Sequence, residues 1–166
     1  MEIPSQEIEK LFIRASEKNC YRILNVAPAI ELSANLFSQT DLFVVNEIEL
    51  EFLAKKQIRS ADLDSIKDCI DSLSLKQHQS VVVTLGSRGV YVSQNYQSEF
   101  IESHKVNAID TTGSGDCFIG ALASGLLDKH NLFESAIFAN KAAALSVTKK
   151  GAATSMPTSK EVLSFR

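Results

Sequence analysis

Apolar positions along this chain follow two rhythms in turn. Over residues 5–19, Ile8, Leu11, Phe12 and Ala15 fall at i, i+3, i+4 and i+7, which gathers them on one face of a helix. Ser5 stands where a cap for that helix is expected. Residues 21–26 read as a short strand closed by Ala27-Pro28, and a brief helix is expected over 34–38. Residues 42–45 are an unbroken apolar run, as in a strand covered on both faces. The run stops at Asn46, and 47–55 reads as helix.

Residues 61–75 return to the helical period through Leu63, Ile66, Ile70 and Leu73. A second fully apolar strand is expected over 81–85, followed by a turn at 86–89 and a hairpin partner over 90–93. Residues 99–103 and 105–109 read as weaker strands. Helices follow over 115–127 and 132–148, the second capped by Asn131. Thr158-Ser-Lys-Glu161 is a capping box that opens a last helix.

Strands alternating with helices predict an α/β fold, with a mainly parallel sheet and helices on both faces. Ligands of such sheets bind beyond the carboxyl ends of the strands. Three polar or glycine-rich segments fall at those ends: 46–49, 86–89 and 110–116.

A length of 166 residues fits one domain, 1–166, with its own core. Hydrophobic residues at 45% and charged residues at 22% fit a globular chain rather than a disordered one. The net charge of −3, without a Lys/Arg cluster, points away from a nucleic-acid partner. No apolar run approaches the roughly 20 residues of a membrane span, so no membrane partner is expected. The polar, acidic first residues do not read as a secretory leader. Cys20, Cys69 and Cys117 form no CxxC pair and are expected as buried free thiols in a cytoplasmic protein. His78, His104 and His130 lack metal spacing and read as surface or loop residues. Tyr91, Tyr96 and the phenylalanines read as core and strand packing.

The segment Asp110-Thr-Thr-Gly-Ser-Gly-Asp116 carries the clearest chemistry. Gly113 and Gly115 let backbone N–H groups approach a ligand. The segment runs into a helix start, whose unpaired donors and partial positive charge suit an anion. Asp116 in that first turn can take a proton from an attacking hydroxyl. It can equally be an acidic residue that only favours the helix dipole. Asn46 and Glu49, spaced as N-x-x-E, can serve a Mg²⁺–water shell and a phosphate, or can simply cap a helix. Thr84-Leu-Gly-Ser-Arg-Gly89 can border a nucleotide or form a plain turn. The GxxxxGK[ST], dinucleotide, protein-kinase and GxSxG signatures are not in the sequence.

Taken together, these motifs resemble those of the ribokinase-like (PfkB) sugar kinase family. The resemblance is to the C-terminal half of that fold and runs over nearly all of the chain. Residues 110–116 resemble the family's C-terminal signature, 46–49 its NxxE motif and 84–89 its nucleotide-binding TLGSxG. Asn25-Val-Ala-Pro-Ala29, Val147-Thr-Lys-Lys-Gly-Ala152 and Met156-Pro157 are similar to further family segments. Two residues depart from the usual pattern: Ser114 stands where Ala or Gly is common, and Val26 where Pro is frequent.

The resemblance implies transfer of the γ-phosphoryl group of ATP to a sugar's primary hydroxyl, first D-ribose to D-ribose 5-phosphate. It implies Asp116 as base and as the residue touching the sugar. Gly113, Ser114 and Gly115 would form the anion hole. Asn46, Thr84, Gly86, Ser87, Arg88, Gly89, Gly115, Asp116 and Asn140 would border the nucleotide. Glu49 would place Mg²⁺ through water. Asp110, Thr112, Ser146, Lys149, Gly151 and Ser155 would surround K⁺, with Lys149 contributing only its carbonyl. Other acceptors in the family (fructose, a nucleoside, a keto-deoxy sugar acid) stay open, as does a nucleotide-binding fragment without catalysis. The N-terminal half and β-lid of the family fold, with its sugar-binding residues and much of a homodimer contact, are expected to be absent from this chain.

Overall fold

The computed structural model describes residues 3–59 and 62–165. Met1, and Ala61 within the predicted 61–75 helix, lie outside them. The elements in chain order are α1 (Ser5–Ser16), β1 (Ile23–Asn25), α2 (Ala34–Gln39), β2 (Leu42–Asn46), α3 (Glu47–Ala54), α4 (Leu63–Ser72) and β3 (Ser80–Thr84). Then come β4 (Gly89–Gln94), β5 (Gln97–Glu102), α5 (Ser114–Leu127), α6 (Leu132–Ser146) and α7 (Ser159–Ser164). Short 3₁₀ turns cover Gly86–Arg88 and Ala153–Ser155.

The strands form one sheet in the order β1-β2-β3-β4-β5. β1 and β2 run parallel, with Ile23 opposite Leu42 and Asn25 opposite Val44. The links from β3 to β4 and from β4 to β5 are too short for a parallel crossover, so the sheet is mixed. Asn95 and Tyr96, with φ of 51° and 65°, supply the two left-handed residues of a tight hairpin between β4 and β5. That turn leaves Tyr96 93% exposed, whereas Tyr91 is buried as expected.

By their internal contacts the residues divide into two compact units. The first comprises 1–83 with 93–97. Its core holds the apolar runs of β2 and β3, with Leu36, Leu50 and Ile66 fully buried. The Phe37 and Phe43 rings lie 4.8 Å apart within it. Arg22 donates to the Asp41 carboxylate from its backbone N–H and Nε, each at 2.8 Å, and from Nη2 at 2.7 Å. Burial pushes the Asp41 carboxyl up, but the hydrogen bonds and charge of Arg22 outweigh it and hold the group below its ordinary value.

Helix α1 starts without a side-chain cap: Pro4 precedes it and Ser5 is its first helical residue, not its cap. Its face is narrower than the sequence period implies. Ile8 and Phe12 are buried, while Leu11 is 56% exposed.

The second unit comprises 84–92 with 98–166. α5 packs along α6, and α6 along α7. Gly125 sits where any Cβ would come within 2.9 Å of Ser135 Oγ, which sets how closely α5 and α6 approach. Asn131 caps α6 and Thr158 caps α7, each in a full capping box with Glu134 and Glu161.

The strand expected over 105–109 does not form. Its end is tied to α6 instead: the N–H groups of Ile109 and Asp110 both donate to the Val147 carbonyl, at 2.7 and 3.2 Å. Among the described residues no helix is long and apolar enough to cross a membrane.

Candidate active site

In the second unit, the segment after β3 bends sharply. Gly86 takes φ of +57° and Gly89 φ of +127°. A Cβ on Gly89 would overlap the Ile101 carbonyl oxygen and approach Ser103 N to 2.8 Å, so only glycine fits. The Leu85 N–H donates to the Gly89 carbonyl at 2.9 Å, and the Ser103 N–H to the Arg88 carbonyl at 3.0 Å. These bonds hold the turn against the start of the next loop.

Asp110 organises the loop before α5. One carboxylate oxygen accepts from the Thr112 N–H at 3.0 Å and the other from the Gly151 N–H at 2.9 Å. The Gly151 amide, then the Thr112 amide and hydroxyl, hold the carboxyl below its ordinary value. Gly113 follows in the left-handed region, φ +75°, and is the cap position of α5. It has no side chain to close the helix start; the Ser114 N–H donates to the Thr111 carbonyl at 3.2 Å, and no side chain caps the first turn. Space is open around Gly115, where a Cβ would meet nothing within 4 Å.

Ser114 and Gly115 form one wall of a cavity of about 460 Å³. Thr84, Gly86, Ser87 and Gly89 form another, and Asn140 of α6 a third. Asn140 is buried, and its Nδ2 donates to the Glu102 carbonyl at 3.0 Å, which fixes the amide. Seven residues distant in sequence therefore meet around one space. Arg88 is not among the lining residues. Asp116 is exposed and lines a smaller cavity of about 220 Å³, together with Cys117, Gly120 and Met156.

Residues 2–159 match the model of the pfkB family carbohydrate kinases. The chain belongs to that family. It is 40% identical over 163 residues to a ribokinase of Staphylococcus aureus, covering 98% of this chain and 53% of that protein. It is 38% identical over 138 residues to fructokinase-1 of Zea mays, covering 78% and 40%. The structure of Arabidopsis thaliana ribokinase complexed with ribose and ATP superposes with a TM-score of 0.88 at 28% identity, over 98% of this chain and 52% of that one. The fold is thus ribokinase-like, and the chain spans about half the length of the curated relatives it matches.

The other residues expected from pfkB-type motifs are placed as follows. Asn46 and Glu49 lie in the first unit and form a capping box at the start of α3. The Glu49 N–H donates to Asn46 Oδ1 at 2.9 Å, and the Asn46 N–H to Glu49 Oε2 at 2.7 Å. Glu49 is only 7% exposed. One of its oxygens is therefore committed to the cap. Ser146 and Ser155 are buried, and their hydroxyls donate to the carbonyls of Ala143 and Ala152, both at 2.8 Å. Lys149 directs its Nζ to Glu161 at 3.1 Å.

Together with Asp110, Thr112 and Gly151, these residues offer oxygen donors and one ionised carboxylate. Among the described residues no cluster of three or more His, Cys, Asp or Glu could hold a metal.

Several wall residues carry no sequence signal. His104, read as a surface or loop residue, lies in the loop after β5, where it is half-buried and lines the larger cavity beside Ser103, Lys105 and Val106. Phe118, Ala143, Ala144 and Val147 complete its apolar side. Phe118 follows one recognisable motif and Val147 begins another, but only the packing of α5 on α6 brings them to this space. Cys20, expected to be buried, is exposed, whereas Cys69 and Cys117 are buried and burial pushes both thiols up.

Proposed function

We propose that this chain carries the ATP-binding and phosphoryl-transfer part of a sugar kinase, with D-ribose as acceptor and D-ribose 5-phosphate as product. The observation that supports it most is the shared cavity, where an uncapped helix start meets the Thr84–Gly89 turn and Asn140. The amides of Gly113, Ser114 and Gly115 would stabilise charge developing on the transferring group, the Ser114 N–H by turning from the Thr111 carbonyl that it meets at 3.2 Å.

In the proposed step the sugar's primary hydroxyl oxygen bonds to the γ-phosphorus. Asp116 takes the hydroxyl proton, the bond to the β–γ bridging oxygen breaks, and ADP leaves. Asn46 approaches the phosphates, and Arg88 contributes to the nucleotide border through its loop. Glu49 would hold Mg²⁺ through water. Asp110, Thr112, Ser146, Gly151, Ser155 and the Lys149 carbonyl would hold K⁺. When bound, such ions would supply positive charge that offsets the charge of the phosphates. The setting we assign is the cytoplasm, with ATP and a small sugar as ligands and a homodimer for the longer enzyme.

A second reading, nucleotide binding without transfer, is favoured by Asp116 lining the smaller cavity and not the larger one. The match to a fructokinase keeps fructose as the competing acceptor. One set of measurements separates these readings. ADP release from ATP that rises with ribose, exceeds that with fructose, and is lost in Asp116→Asn supports the main reading. Calorimetric binding of Mg-ATP without sugar-dependent ADP release supports the second. No binding of Mg-ATP overturns both.

A further inference from the structure

The larger cavity has a wall that neither the phosphate loop nor the strand-end glycines account for. His104 lines it from the segment after β5, and the ring of Phe165 stands 5.2 Å from the His104 ring at an interplanar angle of 58°. That tilt is an arrangement aromatic pairs favour. Phe165 is itself tethered. Its N–H donates to the Val162 carbonyl at 3.3 Å, and its carbonyl accepts from Lys141 Nζ at 3.3 Å. The preceding helix α7 is fixed at its start by the Thr158–Glu161 box.

The cavity surface also divides in chemistry. Ser114 and Gly115 bring the polar start of α5, whereas Phe118, Ala143 and Ala144 are apolar. A nucleotide divides the same way, into an anionic chain and a flat aromatic base. We propose that His104 is the wall against which the nucleobase stacks, and that Phe165 is the positioning residue that holds its ring. This rests on the reading of the cavity as a nucleotide site. An imidazole is a suitable stacking face for a base, and stacking tolerates either tautomer.

The test compares two probes, Mg-ADP and inorganic tripolyphosphate, on the full chain and on His104→Ala, His104→Phe, Phe165→Ala and Phe165→Tyr. Thermal melts confirm that each variant is folded. His104→Ala and Phe165→Ala are expected to weaken ADP binding roughly tenfold while leaving tripolyphosphate unchanged. His104→Phe and Phe165→Tyr are expected to stay near the parent. Unchanged ADP affinity in His104→Ala, or equal weakening of both probes, overturns the stacking wall. An effect in His104→Ala with none in Phe165→Ala overturns the brace alone. Failure of the parent chain to bind ADP overturns the nucleotide reading, and this inference with it.

Discussion

A single carboxylate fastens the start of α7, beside the smaller cavity. Glu161 caps α7 through Thr158 and pairs with Lys149, and its carboxyl is pulled down to about 2, first by the Thr158 amide, then by the Thr158 hydroxyl and Lys149. A depressed carboxyl stabilises the fold above its unfolded value and loses that contribution as pH falls through the folded one. The melting temperature of Glu161→Gln should therefore lie below the parent's at pH 7, with the gap closing on acidification from the ordinary glutamate range toward about pH 2. A gap independent of pH would show that the cap acts without its charge.

Gly89 carries a second residue-scale expectation. Gly89→Ala must hold φ of +127° and displace the Ile101 carbonyl, so it should cost about 2–3 kcal/mol by urea titration. The motif glycines were visible in sequence because a missing side chain is itself a signal. The role of His104 was not, because its surroundings come from Phe165, sixty-one positions further on by residue number.

Elements were legible where local chemistry decides them. The apolar runs of β2 and β3, the Asn131 cap of α6 and the capping box of α7 are local features and form close to where they were expected. Residues 105–109 failed because alternation alone does not make a strand. Val106 and Ala108 face the cavity, while the Val147 carbonyl takes the amides of Ile109 and Asp110.

Two contacts at this scale are open to measurement. Gly125→Val forces β-branched bulk against Ser135 between α5 and α6 and should destabilise by about 2 kcal/mol. Asp41→Ala removes the partner of an Arg22 side chain only 15% exposed and should cost about 3 kcal/mol. Chemical denaturation reads both, and a change below about 0.5 kcal/mol in either would contradict the packing described.

For the whole molecule, the sequence motifs located the family but not the space they share. Thr84, Ser114 and Asn140 are far apart in the chain, and the cavity exists only because the β3–β4 turn, the α5 start and α6 converge within the second unit. Asn46 and Glu49 were read as either ligands or a cap, and the cap is present in the first unit. The family is shown by sequence and fold together, while the chain spans about half of its curated relatives.

The proposed role of the α5 start is most directly tested by hydrogen–deuterium exchange with and without saturating Mg-ATP. Slower exchange at residues 84–89 and 113–117 is predicted. Unchanged exchange at both segments under saturating Mg-ATP would contradict the assignment of this cavity to the nucleotide.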